Sequence, residues 1–489
     1  MNQPAVTSFE AANASTFGDI LNAKTNQNNI RVGLLGCGYF EYWRMYPALK
    51  EIVENDLQRI RSRFSKDFEM IYPGMVDTLD QAEEAGKKFA EARVAAVVIV
   101  EGTYLPDFIT FRALEHVRQV PVILFNTQTG SDVSPNDDYP ATMRNSALIG
   151  MAQLSGSFRK MRRNYEVVVG EVENEAACQR ICRLIRAIQT TTNLRFQTIG
   201  VLGQVFRGMF DLEYDRAQVK GVLGPEVMTI QADHLIRLWK EASEKDVNAV
   251  AQAALKRFSA RHVKLEDAQK SCRLGLAMRA LVNQYRLDGL CFLGQHYIEK
   301  MTGAPARFGA SMLMEEDRLM VACEGDVGGL IMMQLMHAIT GSLPLQAEWG
   351  QFDMANNALF LLGHGIGAPE LAAGPQAVIL TSSPEEWGFA GSGMNYQFIV
   401  KPGPVTLGHF LHTADGWQMF ISEGESISFP CLPCGEIHAM VRVKTPVREY
   451  IENFLRAGVA HHVILTAGHI AGDLKTVADI LGIKKLILE

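Results

Sequence analysis

At 489 residues, 47% hydrophobic and 21% charged, the chain has the composition of a globular protein long enough for about two to four domains. Its formal charge of -7 at pH 7 excludes nucleic acid as the main partner. No apolar run approaches the ~20 residues that span a bilayer, and no basic stretch leads into an apolar one near Met1, so neither a membrane partner nor a signal peptide is expected.

Residues 1–30 read as a polar N-terminal extension. Val32–Leu35 is a short apolar run ending at Gly36, a first strand, and Leu49, Ile52, Val53, Leu57 and Ile60 mark one face of a helix over Pro47–Phe64. Thr78–Arg93 is helix-like and alanine-rich. Val94–Val100 is an unbroken, largely β-branched run, the pattern of a parallel strand buried on both faces. A helix over Phe108–Val117 and a strand over Pro121–Phe125 follow, and the alternation predicts a doubly wound α/β domain over 31–172. A helix at Glu173–Thr190, a strand at Thr198–Gly203, helices at Leu235–Ala242 and Val247–Phe258, and a strand at Leu287–Leu293 predict a central α/β domain over 173–341. Beyond it come short strands at Ala377–Leu380, Gln397–Val400, Val405–Leu407 and Met419–Ile421. Pro402-Gly403 and Asp415-Gly416 are turn signals between them, and Asp473–Leu488 reads as a helix and a strand. This last part, 342–489, is expected to be β-rich and antiparallel. The fold class is therefore α/β: two doubly wound Rossmann-like domains followed by an antiparallel β-rich C-terminal domain.

The eight cysteines are scattered, several inside apolar runs, and read as reduced thiols in a cytoplasmic protein. Cys431 and Cys434 form one CxxC without a second pair, which does not make a structural zinc site. Gly36-Cys37-Gly38 follows the first strand, but Glu41 stands where a dinucleotide loop needs its third glycine. The aromatic cluster Tyr39, Phe40, Tyr42 and Trp43 would crowd a pyrophosphate, and suits a sugar-sized ligand better.

The most informative stretch is Val321-Ala322-Cys323-Glu324-Gly325-Asp326, where an apolar run leads into two carboxylates and then into a helix around Leu330–Met336. Ligands of open α/β sheets sit beyond the carboxyl ends of strands, so acidic residues there are candidates for holding a metal or moving a proton. Taken singly, Glu324, Asp326 and Glu348 also fit plain surface charges, and His364, between Gly363 and Gly365, also fits a turn residue. His461 and His462 lead into an apolar run. Neighbouring strand residues point opposite ways, so one of the two is expected to face a site. Two carboxylates with two imidazoles form a divalent-metal site suited to Mn²⁺, with Co²⁺ or Fe²⁺ as alternatives.

These residues resemble the L-arabinose isomerase/L-fucose isomerase family, the arabinose branch more closely, over most of the chain after residue 30. Val97–Gly130, containing Phe125-Asn126-Thr127-Gln128, is similar to the family's first-domain strand and its His-Thr-Gln segment, and Asn145–Gly170 to the segment that follows. Glu324-Gly325-Asp326 resembles the Glu-Gly-Asp motif with the first metal-binding glutamate. Ala457–Val463 resembles Gly-Gly-Ala-His-His-Thr, whose second histidine is a ligand. The step from Glu348 to His364 matches the family's second glutamate and first histidine within one residue. The resemblance implies Glu324, Glu348, His364 and His462 as metal ligands, with the two glutamates as the acid/base pair. It also implies Mn²⁺ dependence, a homohexamer with active sites between subunits, and aldose–ketose isomerisation of an open-chain sugar through an enediol. Gln128 and Met209 become substrate-contacting candidates, and Tyr39 of the aromatic cluster joins them.

The chain also departs from the family. Ala347-Glu348-Trp349-Gly350-Gln351-Phe352 stands where arabinose isomerases have Met-Glu-Asp-Tyr-Thr-Tyr, and Gly365-Ile366-Gly367 where they have Met-Leu-Glu. The Tyr39–Trp43 cluster replaces a Gln-His-Leu-Tyr. The pocket wall differs, which leaves the sugar open. Alternatives are an isomerase of a modified or deoxy sugar in the same family, a non-haem iron enzyme, and a non-catalytic sugar-binding protein.

Overall fold

The computed structural model describes residues 30–128, 132–292, 295–383, 385 and 391–489, so all but the last residue of the N-terminal extension lies outside the described residues. The chain divides into two compact units, Met1–Ile185 and Arg186–Glu489. No helix among the described residues is long and apolar enough to cross a membrane.

In the N-terminal unit the strands are β1 (Arg31–Cys37), β2 (Glu69–Ile71), β3 (Ala96–Glu101), β4 (Val122–Asn126) and β5 (Glu166–Val169). They pair in parallel in the order β2-β1-β3-β4-β5. The unbroken apolar run becomes β3, buried along its whole length at the middle of the sheet. The alanine-rich helix spans Leu79–Ala92. Thr78 and Gln81 form its capping box, and Arg93 ends it in a left-handed conformation.

Glu101 closes β3 and is 1% exposed, and neither of its carboxyl oxygens has a hydrogen-bond partner among the described residues. It packs against the helix Ala147–Lys160 so closely that a Cβ on Gly150 would lie 1.7 Å from Glu101 Oε2. Burial, helped by the nearby charge of Asp107, pushes its pKa up from 4.5 to about 9.

The second unit carries a parallel sheet, β10-β9-β6-β7, built from β6 (Thr198–Leu202), β7 (Glu226–Ile230), β9 (Gly289–Phe292) and β10 (Met320–Cys323). The short β8 (Ser259–Arg261) pairs instead with β13 (Ile379–Thr381), which pairs with β14 (Asn395–Gln397). The remaining strands are β11 (Leu345–Asp353), β12 (Ala358–Leu362), β15 (Gly403–Thr413), β16 (Gly416–Ser426), β17 (His438–Arg442), β18 (His462–Ala467) and β19 (Lys484–Leu488). They run in the order β15-β18-β11-β12-β17-β16-β19, and β16 also pairs with β15. Six strands therefore close on themselves as an antiparallel barrel, while β19 adds in parallel to β16. Closure removes the sheet edges that an open arrangement would leave.

The α/β class with an antiparallel β-rich C-terminal part is as expected, but several strand extents differ from the sequence reading, β14, β15 and β16 among them. β15 and β16 each run 11 residues, because they form one continuous hairpin across Ala414 and Asp415 that pairs polar as well as apolar positions. The strand read at Gln397–Val400 stops at Gln397, and Ile399 makes an isolated bridge to His438 instead. The helix Val327–Thr340 is buried almost all round, since it packs on β9 and β10 on one side and on β15 and β18 on the other.

Glu101 makes stability depend on pH. Its folded pKa lies above the unfolded value, so the folded state holds a proton that the unfolded chain releases. The contribution is full below the unfolded value and declines as pH rises toward the folded one, by up to about 1.4 kcal/mol per pH unit. Urea unfolding of Glu101→Gln at about pH 6 and about pH 8.5 is expected to lose this decline while wild type shows it. An identical pH dependence in both proteins would refute the assignment.

Candidate active site

β10 delivers Glu324 to the head of the parallel sheet. The strand ends at Cys323, and Glu324 and Gly325 both take left-handed backbone conformations, with φ of 61° and 75°. For a glutamate this is a strained arrangement of the kind found at functional sites. A Cβ at position 325 would come within 2.9 Å of Val205 Cα, so only glycine fits.

The turn ends at Asp326, the N-cap of the helix Val327–Thr340. Its Oδ1 accepts from Gly329 N at 2.7 Å. Its Oδ2 accepts from Gln346 Nε2, His409 Nε2 and His462 Nδ1, each at 3.0 Å. Position 329 must be glycine, because a Cβ there would lie 2.2 Å from Asp326 Oδ2. Burial alone would raise the pKa of Asp326. The positive charge and hydrogen bond of His409, with the hydrogen bond of His462, outweigh burial and hold it well below the carboxylate range.

The barrel supplies the other groups. β11 pairs with β18 so that Glu348 stands directly opposite His462. Gln346, two residues before Glu348 and so on the same strand face, accepts from Cys323 N at 2.9 Å and ties the end of β10 to β11. On its other side Glu348 pairs with Leu362, the last residue of β12. His364 lies just beyond, in a loop held by Gly363 N donating to Ile437 O at 2.8 Å. The buried Ser311 Oγ secures the same loop, donating to Gly365 O and accepting from Gly367 N. His364 Nε2 is 3.0 Å from Glu348 Oε1, and its Nδ1 is 3.2 Å from Cys323 Sγ.

One expectation fails here: both neighbouring histidines face the site. His462 Nε2 and His461 Nε2 are 3.2 and 3.7 Å from the same oxygen, Glu324 Oε2. The alternation rule does not apply, because β18 begins only at His462 and His461 lies in the bend before it. Asp211 Oδ2 anchors His461 by accepting from its backbone N at 3.0 Å and from Nδ1 at 2.7 Å.

Glu324 Oε2, His461 Nε2 and His462 Nε2 are buried and have no hydrogen-bond partner among the described residues. Each imidazole gives its Nδ1 hydrogen to a carboxylate, the arrangement that aims the other nitrogen of a metal-binding histidine. Glu324, Glu348, His461 and His462 can each bring a ligand atom within 4.8 Å of the others, as can Cys323, Glu324 and His364. This donor set fits a divalent cation.

The electrostatics agree. Burial would raise the pKa of Glu324, but the close approach of His461 and His462, at 3.7 and 3.2 Å, and the charge of His364 hold it far below its ordinary value. Glu348 is lowered in the same way, burial being outweighed by the hydrogen bond and charge of His364. Burial opposes charge on His462, yet Asp326 and Glu324 push it up to about 10. His461 is also raised, by Glu324 and Asp211 against burial and the charge of His462. The cluster demands positive charge, carried by protons on the imidazoles or by a metal ion in their place.

Of the other sequence candidates, Met209 lies in a turn where its N donates to Phe206 O at 3.1 Å, while Phe206 N reaches Glu324 O at 3.4 Å. Tyr39 and Gln128 belong to the N-terminal unit, each just past the carboxyl end of a parallel strand: Tyr39 after β1 and the exposed Gln128 after β4. Tyr39 N donates to Thr103 Oγ1 at 3.1 Å. Sequence reasoning missed Asp211, Gln346, His409 and the role of His461. Period-two spacing from Glu348 could have flagged Gln346, whereas Asp211 and His409 give no local signal.

No family model matches the chain. It is 22% identical over 344 residues to a sulfoquinovose isomerase of Alkalicoccus urumqiensis, covering 70% of this chain and 76% of that protein. It is 21% identical over 404 residues to a sulfoquinovose isomerase of Priestia aryabhattai, covering 82% and 85%. Against an L-arabinose isomerase of Klebsiella pneumoniae it is 20% identical over 415 residues, covering 81% of each.

Asp326→Asn keeps the shape of the buried hub but removes its charge. Urea unfolding is expected to show a loss of about 3 kcal/mol, the scale for breaking a buried charge network. A loss below about 0.5 kcal/mol would show that the hub does not hold the fold together.

Proposed function

The chain belongs to the arabinose/fucose isomerase family of sugar isomerases, and from that premise we propose that it is a metal-dependent aldose–ketose isomerase acting on an open-chain sugar. The observation that carries this reading is the meeting of two ionised glutamates, Glu324 and Glu348, with His364 and His462 at the junction of the parallel sheet and the barrel.

Glu324, Glu348, His364 and His462 are the proposed ligands of a divalent cation: Mn²⁺, or in its place Co²⁺ or Fe²⁺. When bound, the ion supplies Lewis-acid polarisation of the sugar's carbonyl and so acidifies the neighbouring C–H. The protein's own groups move the protons. One glutamate, a carboxylate at neutral pH, takes the proton from C2 of the aldose, and the electron pair shifts to give an enediol. The other carries the hydroxyl proton, and return of the first proton to C1 completes the ketose. Asp326 and Gln346 keep His462 and the end of β10 in place throughout. Met209, Tyr39 and Gln128 are the proposed sugar contacts. The same proposal includes a cytoplasmic homohexamer with active sites shared between copies.

A second reading concerns the sugar. Sulfoquinovose carries a sulfonate where glucose has its 6-hydroxyl, and two of the relatives above bear its name. Arg207 is exposed in the segment whose Phe206 N bonds to Glu324 O, and no carboxylate among the described residues forms an ion pair with it. This favours a sugar with an anionic substituent.

The test is a panel of neutral, deoxy and anionic aldoses and ketoses, assayed with Mn²⁺ and with EDTA. Turnover of at least one sugar, lost with EDTA, is expected. Glu324→Gln and Glu348→Gln should each lower kcat on that sugar at least about 10²-fold. Turnover of no sugar, or near-normal rates in both variants, would sink the reading. Within the panel, higher kcat/KM for neutral than for anionic hexoses would remove the second reading alone.

A further inference from the structure

We propose that Cys431 and Cys434 form a redox modification site, a dithiol that a small disulfide such as oxidised glutathione closes to a bridge, and that the bridge weakens cation binding through the loop of His364. The second half rests on the cation-binding reading above, and the first stands without it.

The pair differs from the other cysteines, all of which are buried: Cys431 is exposed and Cys434 half-buried, both as reduced thiols. Only Leu432 and Pro433 separate them, and the chain bends from Pro433 through Glu436. Burial raises the pKa of each thiol, and Cys434 also feels the charge of Cys431, so the two sulfurs are near one another. Leu432 N donates to His438 Nε2 at 3.0 Å, which puts the hydrogen of that imidazole on Nδ1. Nδ1 donates to Glu436 O at 3.1 Å and stands 3.6 Å from Cys434 Sγ, so its hydrogen is at hand for a Cys434 thiolate.

The chemistry is two successive thiol–disulfide exchanges. The exposed Cys431 thiolate attacks one sulfur of oxidised glutathione, breaking its S–S bond and releasing one glutathione thiolate. The Cys434 thiolate then attacks Cys431 Sγ in the mixed disulfide, forms the Cys431–Cys434 bond and releases the second. The protein thiols lose two electrons and two protons, and the two glutathiones take them up. Because burial raises both thiols, the exchange is slow near neutral pH and quickens as pH rises.

The same segment holds both neighbours of His364. Ile437 O accepts from Gly363 N at 2.8 Å. Gly435 N donates to Gln397 Oε1 at 3.0 Å, and Gly435 O accepts from Asn395 Nδ2. Asn395 packs so tightly on Gly365 that a Cβ there would lie 2.9 Å from its Nδ2. Between them Glu436 is pinned by a buried ion pair with Arg307. A bridge draws the chain together just before Gly435, and these contacts carry the shift to the residues on either side of His364.

The experiment uses the full-length protein, treated with oxidised glutathione at about pH 8 or with dithiothreitol and then freed of small thiols. Alkylation followed by peptide mass spectrometry reads the bridge, and electron paramagnetic resonance of the free ion reads Mn²⁺ binding. In oxidised wild type, Cys431 and Cys434 are expected to resist alkylation and Mn²⁺ to bind about 10-fold more weakly, both reversed by dithiothreitol. Cys431→Ser, a change at an exposed side chain, should bind Mn²⁺ alike after either treatment. Thiols that stay open to alkylation would overturn the site. A bridge that leaves Mn²⁺ affinity unchanged would overturn the coupling to His364 and leave the cation site standing. A protein that forms the bridge yet binds no Mn²⁺ even when reduced would overturn the cation reading and the coupling, and uphold the redox site.

Discussion

The architecture of the site depends on one buried carboxylate. Asp326 accepts hydrogen bonds from its own helix at Gly329, from β11 through Gln346, from β15 through His409 and from β18 through His462. A charge in so dry a place is tolerable only when it is fully partnered, and each partner is then held in a narrow geometry. The parallel sheet that ends in Glu324 and the barrel that carries Glu348 and His462 are thereby locked in register around the same point. Losing one donor would leave a buried charge short of a partner, so the hub ties the fold and the site together.

That rigidity supports a site that is poor in donors and rich in acceptors. Glu324 is held in a left-handed backbone conformation, and its carboxylate meets two imidazoles whose other nitrogens are already committed to carboxylates. The arrangement is preorganised for positive charge, and the cost of building it is met by the surrounding hydrogen bonds. The same groups that draw in a cation also keep both glutamates ionised, which is the state a proton-abstracting base needs. Charge attraction and acid/base readiness therefore have one physical origin.

Much of this was legible in the chain. The run into Cys323-Glu324-Gly325-Asp326 could be placed at a strand end because apolar burial, a glycine and a following helix are all local signals. β3 was readable for the same reason. The closure of the barrel was not, since strand pairing joins residues far apart and leaves no periodicity of its own. His409 reaches Asp326 across 83 residues and Asp211 reaches His461 across 250. Neither pairing has a spacing rule that could announce it. His461 was misread for a subtler reason: the alternation of a strand holds only inside the strand, and the boundary falls between the two histidines.

The amino-acid sequence by itself determined the α/β class, the β-rich end and the residue types able to hold a cation, because burial period, turn chemistry and ligand chemistry are written in short stretches. Only the tertiary structure decided which imidazoles face Glu324, which carboxylates stand behind them, and that Asp326, read from the sequence as a supporting or helix N-terminal group, gathers β11, β15 and β18 as well as its own helix. Those outcomes are set by long-range pairing and by the charge balance of a buried cluster, which exist only once the sheet and the barrel have met.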